Sequence, residues 1–271
     1  MRPASGTGIE YSANLSILFA DLPFEERAAA AAAHGFHLVE SWWPFERPAA
    51  DAAEISAFCR SIEDAGVQLV LLNLYGGSLS AGERGILTDP GAEAALAENL
   101  TAVCTILERT GCKLVNALFG NRQDPSHATQ EDRLALDRIV QVADRIGEFG
   151  ATAVVEMLNS RSSPRYPLTD IAKTVAIVAA ARQRSRFQNT ALLLDTFHLA
   201  TMGVDPVEAI REYGPLIGHV QFADSPGRGR PGTGLIDFEA VRGALREIDY
   251  PGVIGLEYEP HFQTPDTGTR V

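Results

Sequence analysis

Eight short apolar or alternating runs of strand length recur along this chain, separated by longer stretches whose apolar residues fall at helical spacing, and this alternation limits the fold more than any other feature. The strand-length runs are Tyr11 to Leu15, His37 to Ser41, Gln68 to Asn73, Leu114 to Leu118, Ala153 to Glu156, Ala191 to Asp195, Ile217 to Gln221 and Val253 to Glu257. Helices are expected over Glu25 to His34, Asp51 to Ala65, Ala92 to Thr110, Gln130 to Phe149, Thr169 to Arg182, Pro206 to Tyr213 and Phe238 to Ile248. Asp51 and Thr169 stand where N-caps belong, and Gly35, Gly66, Gly111 and Gly150 follow helix ends. Strand and helix in alternation mean parallel strands joined by right-handed crossovers, and eight such units close into an α/β fold, the (β/α)8 TIM barrel. An open doubly wound sheet is the runner-up, and its dinucleotide-binding form is disfavoured because no Gly-x-Gly-x-x-Gly follows the first strand.

The 271 residues match one such barrel of about 250, so residues 1–271 are read as a single domain. Only 14 residues follow Glu257, which makes the eighth helix short or missing. The flank this leaves open is expected to be covered by the N-terminal arm or by a second subunit, so a homodimer is an expectation. Apolar residues at 45% and charged residues at 21% are globular values and argue against disorder. The net charge of −12 repels phosphate backbones and anionic lipid, which disfavours nucleic acid and membrane surfaces as partners. An anionic metabolite still fits if arginines or a metal make a local positive focus. Cys59, Cys104 and Cys112 lack metal-ligand spacing and read as buried reduced thiols of an intracellular protein. No apolar run has the roughly 18 residues of a membrane span, and the first ten residues have no signal core, so a cytoplasmic location is expected.

In a barrel of this kind chemistry gathers where the strands end. Glu156, Asp195, Gln221 and Glu257 interrupt the ends of apolar strands five to eight, at separations of 39, 26 and 36 positions, about one βα unit each. A bare carboxylate buried there would cost several kcal/mol. Any single one could merely cap a helix or pair with an arginine. Four in consecutive units, at one end of the barrel, point instead to one bound divalent cation, and an all-oxygen set suits Mg2+ or Mn2+ better than a softer ion.

At these residues the sequence resembles the hydroxypyruvate isomerase family of the xylose-isomerase-like barrels. The likeness runs nearly the whole length, through Ser12-Ala-Asn-Leu-Ser16, Asn73-Leu with Ala81-Gly-Glu-Arg-Gly85, Val155-Glu156 with Asn159, Asp195-Thr-Phe-His198, His219-Val-Gln-Phe-Ala-Asp224, Pro231-Gly-Thr-Gly234 and Gly255-Leu-Glu-Tyr258. The resemblance implies that Glu156, Asp195, Gln221 and Glu257 hold the metal, and that Glu156 and Glu257 are also the catalytic acid/base pair. It further assigns His198 and Asn73 to the substrate. Ketose epimerases of this superfamily carry His where Gln221 stands, so Gln favours the hydroxypyruvate isomerase branch. One departure lies after strand seven, where the family's His-Arg-Gly-Glu-Pro-Gly-Thr-Gly is replaced by Gly227-Arg-Gly-Arg230 before Pro231.

The implied reaction interconverts hydroxypyruvate and tartronate semialdehyde through a cis-enediolate, one glutamate removing a proton and the other handling its return. Isomerisation of a 2-oxo-tetronate, ketose 3-epimerisation and sugar-acid dehydration are the alternatives within the same barrel. A DNA-repair endonuclease would need more histidine ligands and a basic groove. A small sugar-acid or keto-acid substrate carries a carboxylate, and the loop arginines Arg84, Arg228 and, less so, Arg230 are its candidate partners. Trp42 and Trp43 sit at the expected rim as pocket wall or core packing, and His219 shares the pleat face of Gln221.

Overall fold

Strands covered by helices outside and packed against one another inside are apolar on both faces. Leu69, Leu71 and Leu72 in the third strand and Ala191 to Leu194 in the sixth are all buried accordingly. In the computed structural model, which describes residues 9–260, the strands are β1 (Tyr11–Asn14), β2 (Leu38–Ser41), β3 (Gln68–Asn73), β4 (Leu114–Asn116), β5 (Thr152–Glu156), β6 (Thr190–Asp195), β7 (Ile217–Phe222) and β8 (Ile254–Leu256). They pair in parallel in chain order, and β8 closes on β1. The helices are α1 (Phe24–Ala33), α2 (Ala52–Asp64), α3 (Glu93–Thr110), α4 (Ala128–Gly147), α5 (Ile171–Arg184), α6 (Thr196–Thr201), α7 (Pro206–Tyr213) and α8 (Phe238–Glu247).

All eight strands and all seven anticipated helices are present, with ends within two residues of expectation. Asp51 caps α2 in a full capping box with Glu54. The cap of α5 is Asp170, whose carboxylate accepts from the Lys173 amide, and Thr169 does not serve. Gly111 ends α3 at φ 71°, a left-handed conformation that glycine adopts without a Cβ penalty. The alanine run of α1 turns Ala28 and Ala31, both fully buried, against the barrel. Unanticipated is α6, a turn and a half too short to show a period, which starts on the site residue Asp195 itself. After β8 no helix begins through residue 260, and the expectation of a short or missing eighth helix otherwise falls on residues 261–271, outside the described residues, as does the N-terminal arm over residues 1–8.

Two apolar clusters fill the space between barrel and helices. The larger joins α1 to α4 to the first five strands, and the smaller packs Phe222, Phe238, Val241 and Leu245 beneath α7 and α8. With the helix layer held on both sides, the C-terminal ends of the strands are left as the rigid rim of one mouth. Among the described residues no helix is long and apolar enough to cross a membrane.

Candidate active site

Each strand carries a polar residue at or next to its C-terminal end: Asn14, Glu40, Asn73, Asn116, Glu156, Asp195, Gln221 and Glu257, all of them buried. Register brings them together, with Asn14 opposite Glu40, Asn73 opposite Asn116 and Asp195 opposite Gln221. Above them opens a cleft of about 570 Å³ lined by Trp42, Asn73, Arg84, Glu156, Ser162, Phe197, His198, Arg228 and Glu257.

The two glutamates are held by amides from neighbouring strand ends. Asn116 Nδ2 donates to Glu156 Oε2 at 2.9 Å, and Asn14 Nδ2 donates to Glu257 Oε1 at 2.8 Å. The Trp42 indole N–H also donates to Glu257 Oε1, at 2.5 Å, so this tryptophan is pocket wall, while Trp43 packs in the core and donates to the Arg47 carbonyl. Asp195 does double duty, as one carboxylate oxygen caps α6 through the Phe197 and His198 amides.

His198 is fixed as one tautomer. Its Nδ1 accepts from the Asn159 backbone amide at 3.0 Å and lies 2.8 Å from Asn159 Nδ2, whose amide orientation is set because Oδ1 accepts from Ser162. The ring proton therefore sits on Nε2, which points between Glu156 Oε1 at 3.7 Å and Asp195 Oδ2 at 3.8 Å. Burial, with Arg228 and Arg84 nearby, lowers the His198 pKa well below its usual value and keeps the ring neutral. In the other direction, burial and the charges of Glu257 and Asp195 push Glu156 well above the ordinary carboxylate range. Asp195 and Glu257 are raised too, chiefly by burial, despite the opposing pull of Arg228. Acids so arranged resist ionising together unless a cation joins them.

Arg228 is the cation the protein itself supplies. Its Nη2 lies 2.5 Å from Glu257 Oε2 and 3.8 Å from Asp195 Oδ2, and the guanidinium stacks over Phe197. The residue has φ 58°, a strained value for a side chain with a Cβ. Its carbonyl accepts from the Glu259 amide, and the adjacent loop is tied down by Asp224, whose carboxylate accepts from the amides of Ser225, Gly232, Gly234 and Ile236. Arg84 lines the cleft but turns its Nη1 to the Leu79 and Glu83 carbonyls. Arg230 is exposed and does not line it.

The donor set fits a hard divalent cation. Asp195 Oδ2 and Gln221 Oε1 are buried with no hydrogen-bond partner among the described residues, and carboxylate oxygens of Glu156 and Asp195 lie within 4.8 Å of one another. Sequence reasoning singled out the acidic and carboxamide ends of strands five to eight but passed over Asn14, Glu40 and Asn116, which end strands one, two and four. The same strand-end criterion would have found them.

Comparison with known proteins agrees with the fold. A family model described as xylose isomerase-like TIM barrel matches residues 28–270. The chain is 42% identical over 252 residues to the "Putative hydroxypyruvate isomerase" of Streptomyces coelicolor, covering 92% of this chain and 90% of that one. With the "Hydroxypyruvate isomerase" of Escherichia coli it shares 28% identity over 262 residues, 97% of each chain. Among solved structures, "AP endonuclease, family 2" from Brucella melitensis aligns over 95% of both chains with a TM-score of 0.84 at 27% identity. The chain thus belongs to the xylose isomerase-like TIM barrel family and, within it, to the hydroxypyruvate isomerase family of isomerases.

Proposed function

We propose that this protein is a divalent-metal-dependent isomerase of a short 2-keto acid, interconverting hydroxypyruvate and tartronate semialdehyde by proton transfer through a cis-enediolate. The observation that carries the reading is the pair of buried glutamates, Glu156 and Glu257, each held through one oxygen by a strand-end asparagine and each with a raised carboxyl pKa, facing one cleft. Raised carboxyl groups are suited to exchanging a proton with carbon near neutral pH. In the forward direction one glutamate takes a proton from the hydroxymethyl carbon and the other returns a proton to the former carbonyl carbon. The hydroxyl proton passes to the new hydroxyl oxygen.

Glu156, Asp195, Gln221 and Glu257 are the residues that would hold Mg2+ or Mn2+. Such an ion supplies Lewis-acid stabilisation of the negative charge that develops on the substrate oxygens. His198 adds a neutral Nε2–H donor to a substrate oxygen. Arg228, with Arg84 and Asn73 on the opposite wall, supplies the polar contacts that a substrate carboxylate requires. The net charge of −12 disfavours a nucleic acid substrate, and the three buried, unlinked cysteines support a cytoplasmic setting.

The test is proton NMR of the Mg2+-loaded enzyme with hydroxypyruvate in D2O. Deuterium uptake together with the aldehyde isomer, both lost on chelation, is the expected result. At about 570 Å³ the cleft also has room for a four-carbon acid, so a 2-oxo-tetronate is assayed in parallel. Turnover of that acid with silence on hydroxypyruvate would move the substrate assignment, and silence on both would remove it.

A further inference from the structure

Deeper in the barrel than the cleft lies a buried carboxylate that the mechanism above does not use. Glu40, on β2, is fully buried. Its Oε1 accepts from Ser12 Oγ at 2.6 Å and from His219 Nε2 at 2.7 Å, and its Oε2 accepts from Gln221 Nε2 at 2.9 Å. All three partners donate, so the carboxylate accepts through both of its oxygens. It therefore admits only the NH2 end of the Gln221 amide, and the carbonyl Oε1 is the end left buried without a partner.

The backbone is shaped around the same carboxylate. Gly255 on β8 is the register partner of both Ser12 and Gln221, and a Cβ there would collide with both carboxylate oxygens of Glu40. The glycine of Gly255-Leu-Glu-Tyr258 thus leaves room for a side chain that reaches across the lumen from β2.

We propose that Glu40 is a positioning residue for the metal centre, orienting the Gln221 amide so that its carbonyl oxygen, and not its NH2 group, is presented as a ligand. The inference rests on the metal-dependent reading above. A carbonyl oxygen binds Mg2+ or Mn2+ and an amide NH2 does not, so a flipped amide removes one ligand without moving any backbone.

The probe is Mn2+ alone, titrated calorimetrically into metal-free wild type, Glu40→Gln, Glu40→Ala and Gly255→Ala, with circular dichroism to confirm folding. In Glu40→Gln the new amide keeps its oxygen toward Ser12 and His219 and turns its NH2 toward Gln221, which then has to flip. Mn2+ affinity is expected to fall roughly 10- to 100-fold, the usual effect of losing an outer-shell partner. Glu40→Ala removes the same charge but leaves Gln221 able to turn either way, so it is expected to lose less. Gly255→Ala keeps the charge, displaces the carboxylate and is expected to weaken binding as well, which preserves the test should Glu40→Gln not fold. No Mn2+ binding by wild type would overturn the metal-dependent reading itself. Wild-type affinity in Glu40→Gln or Gly255→Ala, or equal losses in Glu40→Gln and Glu40→Ala, would overturn the orienting role alone.

Discussion

Glu156 and Glu257 have the same chemistry in the sequence and different surroundings in the barrel. Glu156 is held by Asn116 and lies nearest His198, whereas Glu257 accepts from Asn14 and Trp42 and is bridged to Asp195 by Arg228. Replacing either with Gln keeps an acceptor for its asparagine and removes the carboxyl group proposed to exchange the proton. Glu156→Gln and Glu257→Gln are each expected to lower kcat by about 100- to 10,000-fold with the fold intact. Steady-state rates together with circular dichroism check this, and near wild-type turnover in either variant would remove the two-glutamate mechanism. What sequence offered for Arg84 and Arg228 was equal, since both are loop arginines. The structure separates them, because Arg228 reaches two site carboxylates and Arg84 spends Nη1 on backbone carbonyls.

Among the elements, the loop after β7 is the one whose order matters most to the site. It follows Asp224, which is fully buried and gathers four backbone amides, and an antiparallel bridge from Asp224 to Gly229 closes its first turn. A carboxylate suits this task because it offers several acceptor sites and no donor. Asp224→Ala leaves those amides without their acceptor and releases Arg228 from its geometry. We expect a loss of up to roughly 100-fold in kcat/KM, the scale on which misplacing a positioned group by an ångström is felt. Faster cleavage within residues 225–236 in limited proteolysis should accompany it, and an unchanged kcat/KM would deny the loop its role. The departure at Gly227-Arg-Gly-Arg230 falls in this loop, with Arg228 turned to the cleft and Arg230 exposed.

For the molecule as a whole, the closed barrel keeps Cys59, Cys104 and Cys112 buried and unlinked. Burial raises all three thiols, Cys112 to about 12. Native protein at pH 8 is expected to resist a thiol-labelling reagent and to take up three equivalents after unfolding. Rapid labelling of the native form would show that the helix layer opens. The sequence by itself determined the number and order of strands and helices, because periodicity is local and each element announces its own face. It also pointed to the acidic strand ends, since a carboxylate closing an apolar run is costly wherever the run is buried. Only the tertiary structure decided how those ends meet. Asn14 and Glu257, or Glu40 and Gln221, are far apart in the chain and become neighbours only when β8 closes on β1. An asparagine at a strand end reads as a turn residue until its partner is known, and a neutral His198 follows from burial and an Asn159 contact that no local pattern encodes.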